Sequence, residues 1–305
     1  MYGVTPRSND VRRFFLNPFR SRPSTSQNKR LFHMYRILRF FHLSFIGVLL
    51  SLGCHTREME LSQEPHPSPN LPGAPEIKNI SVLRPYFQTT LGNVDVGSSI
   101  GTAFIVEMDG HDRPIVLTAL SILGPASGLS RQAHPAELSE IYQSITLGDA
   151  FGSFDGVLSA TGFLSIPESA PFYQSSPAGD ILAIAMPVKT RAGKFKLSIE
   201  HPLKGDTVWL SAAMFIGAPP SQRQHSAMVT GEDEYGNIVY EFDDKSLTNQ
   251  GTVGAPIMNS KGDVIAIHLG GSKAKEKLSG FANPTSRFIA YLKAALRSSP
   301  ILDKQ

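Results

Sequence analysis

Three short stretches of the chain carry groups suited to acyl chemistry. Val116-Leu-Thr-Ala-Leu-Ser121 ends in a hydroxyl, and Asp180-Ile-Leu-Ala-Ile184 opens on a carboxylate. In Gly251-Thr-Val-Gly-Ala-Pro256, Val253 stands between two glycines that can turn backbone N–H groups toward an anion. Acyl transfer by a side chain needs a hydroxyl that attacks and a base that takes its proton. The isopropyl group of Val253 attacks nothing, and a serine hydroxyl at position 121 takes no proton at neutral pH. Ser121, Asp180 and Val253 therefore hold one carboxylate and no working nucleophile–base pair. Gly251 and Gly254 leave the backbone on either side of Val253 free to take conformations that other residues rarely adopt.

The remaining chemistry-bearing residues are scattered. His111, His134, His201 and His225 show no i, i+4 pairing and no H-E-x-x-H spacing, so no metal site is expected and no cofactor is implied. Thr252 flanks Val253, but adjacent residues of one turn point in different directions. Gly270-Gly271-Ser-Lys273 lacks the spacing of a phosphate-binding loop and reads as loop. His268, in the run Gly262-Asp-Val-Ile-Ala-Ile-His268, is expected to be structural or to line a groove rather than to act as a base.

The elements that must position these groups belong to a chain of 305 residues, 41% apolar and 18% charged, with 26 Gly and 22 Pro, which is long enough for a sizeable core and not of low complexity. Its single cysteine, Cys54, excludes an intramolecular disulfide and a Cys-rich zinc site. The net charge of +3 is unevenly spread. Residues 1–33 carry seven basic side chains and one acid, and residues 34–53 add Arg36 and Arg39, which leaves the rest of the chain at −5. A mildly acidic folded part argues against a nucleic-acid partner, since phosphate binding needs a basic face.

From Met34 the order is a short basic region, an apolar run over Phe40–Leu52, and small Gly53 before Cys54. Thirteen residues are too few for a spanning helix, which needs about 20. Leu50-Ser51-Leu52-Gly53-Cys54 resembles the lipobox of bacterial lipoproteins, with Ser51 and Leu52 interchanged relative to the commonest order. That resemblance implies cleavage before Cys54, lipidation of its thiol, and a location on the cell envelope, held at a membrane surface. Met34 is then an alternative start, and residues 1–33 are assigned no fold. Residues 54–76 include Pro65, Pro67, Pro69, Pro72 and Pro75 and no aromatic, the composition of a semi-rigid extended tether.

From about Ile77, short apolar runs recur between turn signals: 101–106, 114–119, 142–147, 180–186, 207–210, 227–230, 238–242, 255–258 and 264–269. Runs of this length, rich in Val, Ile, Phe and Thr, predict strands of an all-β barrel or sandwich. Asn259-Ser-Lys-Gly-Asp263 predicts a tight hairpin. Near the C-terminus, Phe288, Ile289, Leu292, Ala295 and Leu296 share one helical face, with Thr285 or Ser286 as the expected cap and Pro300 as the stop.

Taken in order, Gly101-Thr-Ala-Phe-Ile-Val106 with Val116–Ser121, Asp180–Ile184, Gly251–Pro256 and Gly262–His268 resemble the trypsin-like bacterial serine proteases over about residues 80–297. The resemblance implies a chymotrypsin-like double six-stranded β-barrel, with barrel 1 over about 77–190, barrel 2 over about 195–284 and a helix over 286–297. It puts Ser121, Asp180 and Val253 at the family's histidine, aspartate and serine positions, so that one of three is retained, and it implies that the N–H groups of Gly251 and Val253 are the oxyanion-hole donors, which do not need the missing hydroxyl. It also implies an extended-peptide groove along Ile267, His268, Leu269 and Gly270, with Leu247 at the floor of the specificity pocket. The reading that follows is a membrane-tethered, catalytically inactive protease homologue that binds peptides or acts as a scaffold. A hydrolase with a displaced nucleophile and a purely structural envelope domain are the alternatives.

Overall fold

The computed structural model describes residues 72–77, 81–94 and 101–299, apart from 112, 152–156, 161, 187–192, 213–222, 246, 248–250 and 275–276. Cys54, the signal-like segment and most of the proline-rich tether lie outside these residues. No described helix is long and apolar enough to cross a membrane.

The first half is built from β1 (Val82–Thr89), β2 (Gly92–Val94), β3 (Ala103–Val106), β4 (Ile115–Thr118), β5 (Tyr142–Asp149), β6 (Val157–Ser159), β7 (Gly162–Leu164) and β8 (Leu182–Ala185), with a short helix α1 (Leu138–Ile141) before β5. They form a curled antiparallel sheet in the order β6-β5-β1-β3-β4-β8-β7, with β2 paired to β1. Its two end strands are neighbours in sequence. One half of the bent stretch 157–164 pairs with β5 and the other with β8, so the chain itself bridges the ends of the sheet. Pro85 is tolerated within β1 because it falls between the stretch paired to β3 (Val82, Leu83) and the stretch paired to β2 (Phe87–Thr89), where the strand has β5 as its one partner.

The second half closes fully, as the barrel β10-β11-β14-β13-β12-β9. Its strands are β9 (Thr207–Ser211), β10 (Gln224–Glu232), β11 (Ile238–Phe242), β12 (Pro256–Met258), β13 (Val264–Ala274) and β14 (Lys277–Pro284). Its interior holds Val208, Leu210, Tyr240, Phe242, Ile257 and Ile265. Val264, Ile267 and Leu269 instead join the core of the first half, together with Trp209 and Met258, so alternate side chains of one strand serve two cores. This is the all-β, chymotrypsin-like arrangement with a C-terminal helix.

The predicted hairpin is present at 259–263. Asn259 N–H donates to the Asp263 carbonyl at 3.0 Å, the Asn259 side chain accepts from the Lys261 and Asp263 N–H groups, and Gly262 takes φ +82°. The helix α2 (Thr285–Ser298) buries Phe288, Leu292, Ala295 and Leu296 at the expected spacing. Its cap differs from expectation. Pro284 is the N-cap and no side chain caps the first turn, because the Thr285 hydroxyl is drawn inward to the carbonyls of Ser198 and Ile265.

Candidate functional site

The residues expected at the site meet where the two halves abut. Asp180 is fully buried just ahead of β8; its Oδ1 accepts from Ser121 N–H at 2.9 Å and its Oδ2 from Phe172 N–H at 3.0 Å. Burial pushes the carboxyl up to about 6, although the Ser121 hydroxyl beside it and the N–H groups of Ser121, Phe172 and Leu120 favour the charged form. Asp180 therefore works as an acceptor that ties the turn after β4 to the segment before β8.

The glycine turn lies against the same strand end. Thr102 N–H donates to the Val253 carbonyl at 2.7 Å, and its hydroxyl donates to the Gly251 carbonyl at 2.8 Å. The Thr118 hydroxyl in turn donates to the Thr102 carbonyl at 2.7 Å. Two positions require glycine: Gly251 has φ +79°, and Gly254 has φ +89° with space for no Cβ, which would lie 2.1 Å from Thr118 Oγ1 and 2.2 Å from the Thr102 carbonyl. With both carbonyls held by Thr102, the N–H groups of Gly251 and Val253 have no acceptor among the described residues. The Val253 side chain supplies no attacking group.

The expected groove residues need correction. Ile267, His268 and Leu269 are all buried, and Leu247 packs on the core of the second barrel. His268 points into that barrel, where its Nδ1 meets the Tyr240 hydroxyl and Phe242 lies edge-on at 6.4 Å. Burial holds its imidazole down at about 3, hence neutral. Period-two alternation is the physical reason: a strand shared by two cores leaves these side chains no open face. Its backbone is also occupied at that point, with His268 N–H donating to Ala255 and its carbonyl accepting from Gly254. Among the described residues, β13 from Gly270 to Ala274 is paired with β14 alone. Phe172, Phe281 and half-exposed Tyr173 form a ring cluster between the loop before Asp180 and β14, with Phe172 5.0 Å from Phe281 and 5.3 Å from Tyr173.

Two positioning residues escaped the sequence reading. Asn283, fully buried, donates to the carbonyls of Ala178 at 3.0 Å and Asp180 at 3.3 Å. Arg287 reaches the carbonyls of Ser176, Pro177 and Tyr235, the last at 2.7 Å, so the first turn of α2 clamps the Asp180 loop to the second barrel. The only signal for either was location, just before and just inside the final helix. No group of His, Cys, Asp and Glu among the described residues could hold a metal ion.

The strands and the C-terminal helix thus define a chymotrypsin-like fold. No family model matches the chain, and no curated protein matches it. Among solved structures it is similar to the serine endoprotease from Yersinia pestis, at 14% identity and a TM-score of 0.47, covering 72% of this chain and 64% of that one. It is also similar to the active form of the Rv3671c protease from M. tuberculosis, at 16% identity and a TM-score of 0.43, over 71% of this chain and 81% of that one. The inactive form of that protease gives 17% identity and a TM-score of 0.41, over 72% and 90%.

Proposed function

We propose that this protein is a catalytically inactive serine-protease homologue, held at a bacterial membrane by lipidated Cys54, that binds extended peptide segments or scaffolds a partner. The observation that carries the reading is the pairing of a formed anion-accepting turn, Gly251 and Val253, with a site that lacks both base and nucleophile. Asp180 is engaged by backbone donors on both oxygens, as a structural carboxylate would be. The β13 edge from Gly270 onward supports a peptide added as a strand, with main-chain bonds supplying affinity.

The test has two arms. The protein should leave casein and a mixed peptide library uncleaved, and a weak activity that disappears in Asp180→Ala would overturn the inactive assignment. A random-peptide display selection should enrich a common extended motif. Hydrogen exchange on that complex should show slowed amides along residues 270–274. Enrichment of nothing, or protection confined to another surface, would overturn the peptide-binding role.

A further inference from the structure

A second hydroxyl–imidazole–carboxylate set lies on the outer surface, apart from the Ser121–Asp180–Val253 junction. His201 Nε2 is 2.7 Å from Glu232 Oε1 on β10, and His201 Nδ1 is 3.5 Å from Ser286 Oγ in the first turn of α2. An ionised Glu232 only accepts hydrogen bonds, so it fixes the imidazole as the Nε2–H tautomer and leaves the Nδ1 lone pair facing the serine hydroxyl. A nucleophile in reach of a base that is itself oriented by a third group is the arrangement that activates serine.

The surroundings add two further requirements. The N–H groups of Ser286 and Arg287 have no intrahelical acceptor, and the N-cap Pro284 brings no side-chain cap to that turn. The positive end of the helix dipole therefore lies at the turn that carries the hydroxyl, and favours negative charge there. In the extended segment 199–203, Ile199 and Leu203 bracket His201 and are each 69% exposed. Ile199 and Leu203 are two of the four exposed large apolar side chains of the described residues, and both flank His201 in the chain. Ile199 is fixed close to the serine, because Thr285 bonds to the carbonyl of Ser198. Large apolar side chains left exposed together mark a contact surface for an apolar group.

The geometry points to Ser286, His201 and Glu232 as a serine-nucleophile site for small carboxylic esters, with the apolar acyl or aryl part resting on Ile199 and Leu203. In the first step Ser286 Oγ bonds to the acyl carbon and its proton passes to His201 Nδ1. The ester C–O bond then breaks and the leaving oxygen takes that proton. Water attacks the acyl-serine, again giving its proton to His201, and the acid departs as the serine oxygen is reprotonated. Glu232 holds the imidazolium throughout. An open surface without a deep pocket suits a small ester rather than a peptide. The site is independent of the peptide-binding reading.

The experiment is labelling of the whole protein with a fluorophosphonate, in which Ser286 Oγ displaces fluoride from phosphorus, followed by mapping of the adduct by mass spectrometry; p-nitrophenyl acetate hydrolysis is followed in parallel. Stoichiometric label at Ser286 is expected. It should vanish in Ser286→Ala, slow by about 10²-fold in His201→Asn, slow less in Glu232→Gln, and persist unchanged in Ser298→Ala on the last turn of the same helix. Ser286 is exposed, so its variant should fold, and an unchanged melting temperature checks this. No label, label on another serine, or a Ser286 adduct forming equally fast in His201→Asn would overturn the assignment.

Discussion

Replacing Asp180 by asparagine should remove a pH-dependent penalty on folding. The carboxyl is held at about 6 in the folded protein, against 3.8 for the free side chain, with burial the largest cause. A folded state that holds its proton more tightly than the unfolded chain loses stability as pH rises through this window. The penalty is small near pH 4 and complete above about pH 6. Two units correspond to about 3 kcal/mol at neutral pH. Asparagine does not ionise and keeps one oxygen acceptor, but its amide turns a donor toward the N–H of either Ser121 or Phe172. That mismatch costs about 1–3 kcal/mol at every pH. The absolute effect at one pH is therefore less informative than its drift: between pH 4 and pH 7 the variant should gain about 3 kcal/mol on the wild type. Urea midpoints of both proteins across that range measure the drift, and other titrating groups cancel in the difference. A gap that stays constant from pH 4 to pH 7 would refute the placement of Asp180 as a buried, desolvated carboxylate.

His268 should behave with the opposite sign. Its folded value of about 3 lies below the usual 6.5, so stability is present above about 6.5 and lost as pH falls; wild type should lose about 2 kcal/mol more than His268→Gln between pH 7 and pH 5, read from the same midpoints. Gly254→Ala forces a Cβ against Thr118 and the Thr102 carbonyl at φ +89°, and should cost about 3 kcal/mol or more; a variant within about 1 kcal/mol of wild type in urea would show that the turn is loosely held. Ser121→His with Val253→Ser should rebuild base and nucleophile beside Asp180, giving a fluorophosphonate adduct at residue 253 that neither single variant forms; a folded double variant without that adduct would show that the three positions do not converge. Cys54→Ser should move the protein out of the membrane fraction or leave it unprocessed, since stable anchoring takes more than one acyl chain; wild type that takes up no alkynyl fatty acid would refute lipidation.

The strands that announced themselves in the sequence are those with an uninterrupted apolar run. Ala103–Val106, Ile115–Thr118 and Leu182–Ala185 are buried at every position, so composition was enough to find them. Val82–Thr89 did not stand out, because Arg84 and Pro85 break the run and its pairing is completed by distant β5. Lys277–Pro284 was hidden by Gly280, a glycine placed there because a Cβ would lie 2.4 Å from the Tyr240 ring. Local pattern reports what a residue prefers and says little about which distant ring it must admit. The groove assignment failed for a related reason. Ile267 and His268 look like one apolar stretch, yet one serves the core of the first half and the other the interior of the second barrel.

What Asp180 does for the fold follows from where its two oxygens go. One holds the turn that carries Ser121, the other the segment at Phe172, and the loop between is pinned from the opposite side by Asn283 and Arg287. Val253 packs its side chain against the core and its carbonyl on Thr102, and the Ser121 hydroxyl is buried beside Asp180. Removing the Asp180 side chain orphans two backbone donors, each costing about 1–3 kcal/mol. The upward shift to about 6 is what remains after those hydrogen bonds have offset part of the desolvation, so the folded state still favours the protonated acid. Asp180 is thus accounted for by the geometry it imposes: it holds two segments together although its charge is costly to bury. The Gly251–Gly254 turn is held separately, by the N–H and the hydroxyl of Thr102.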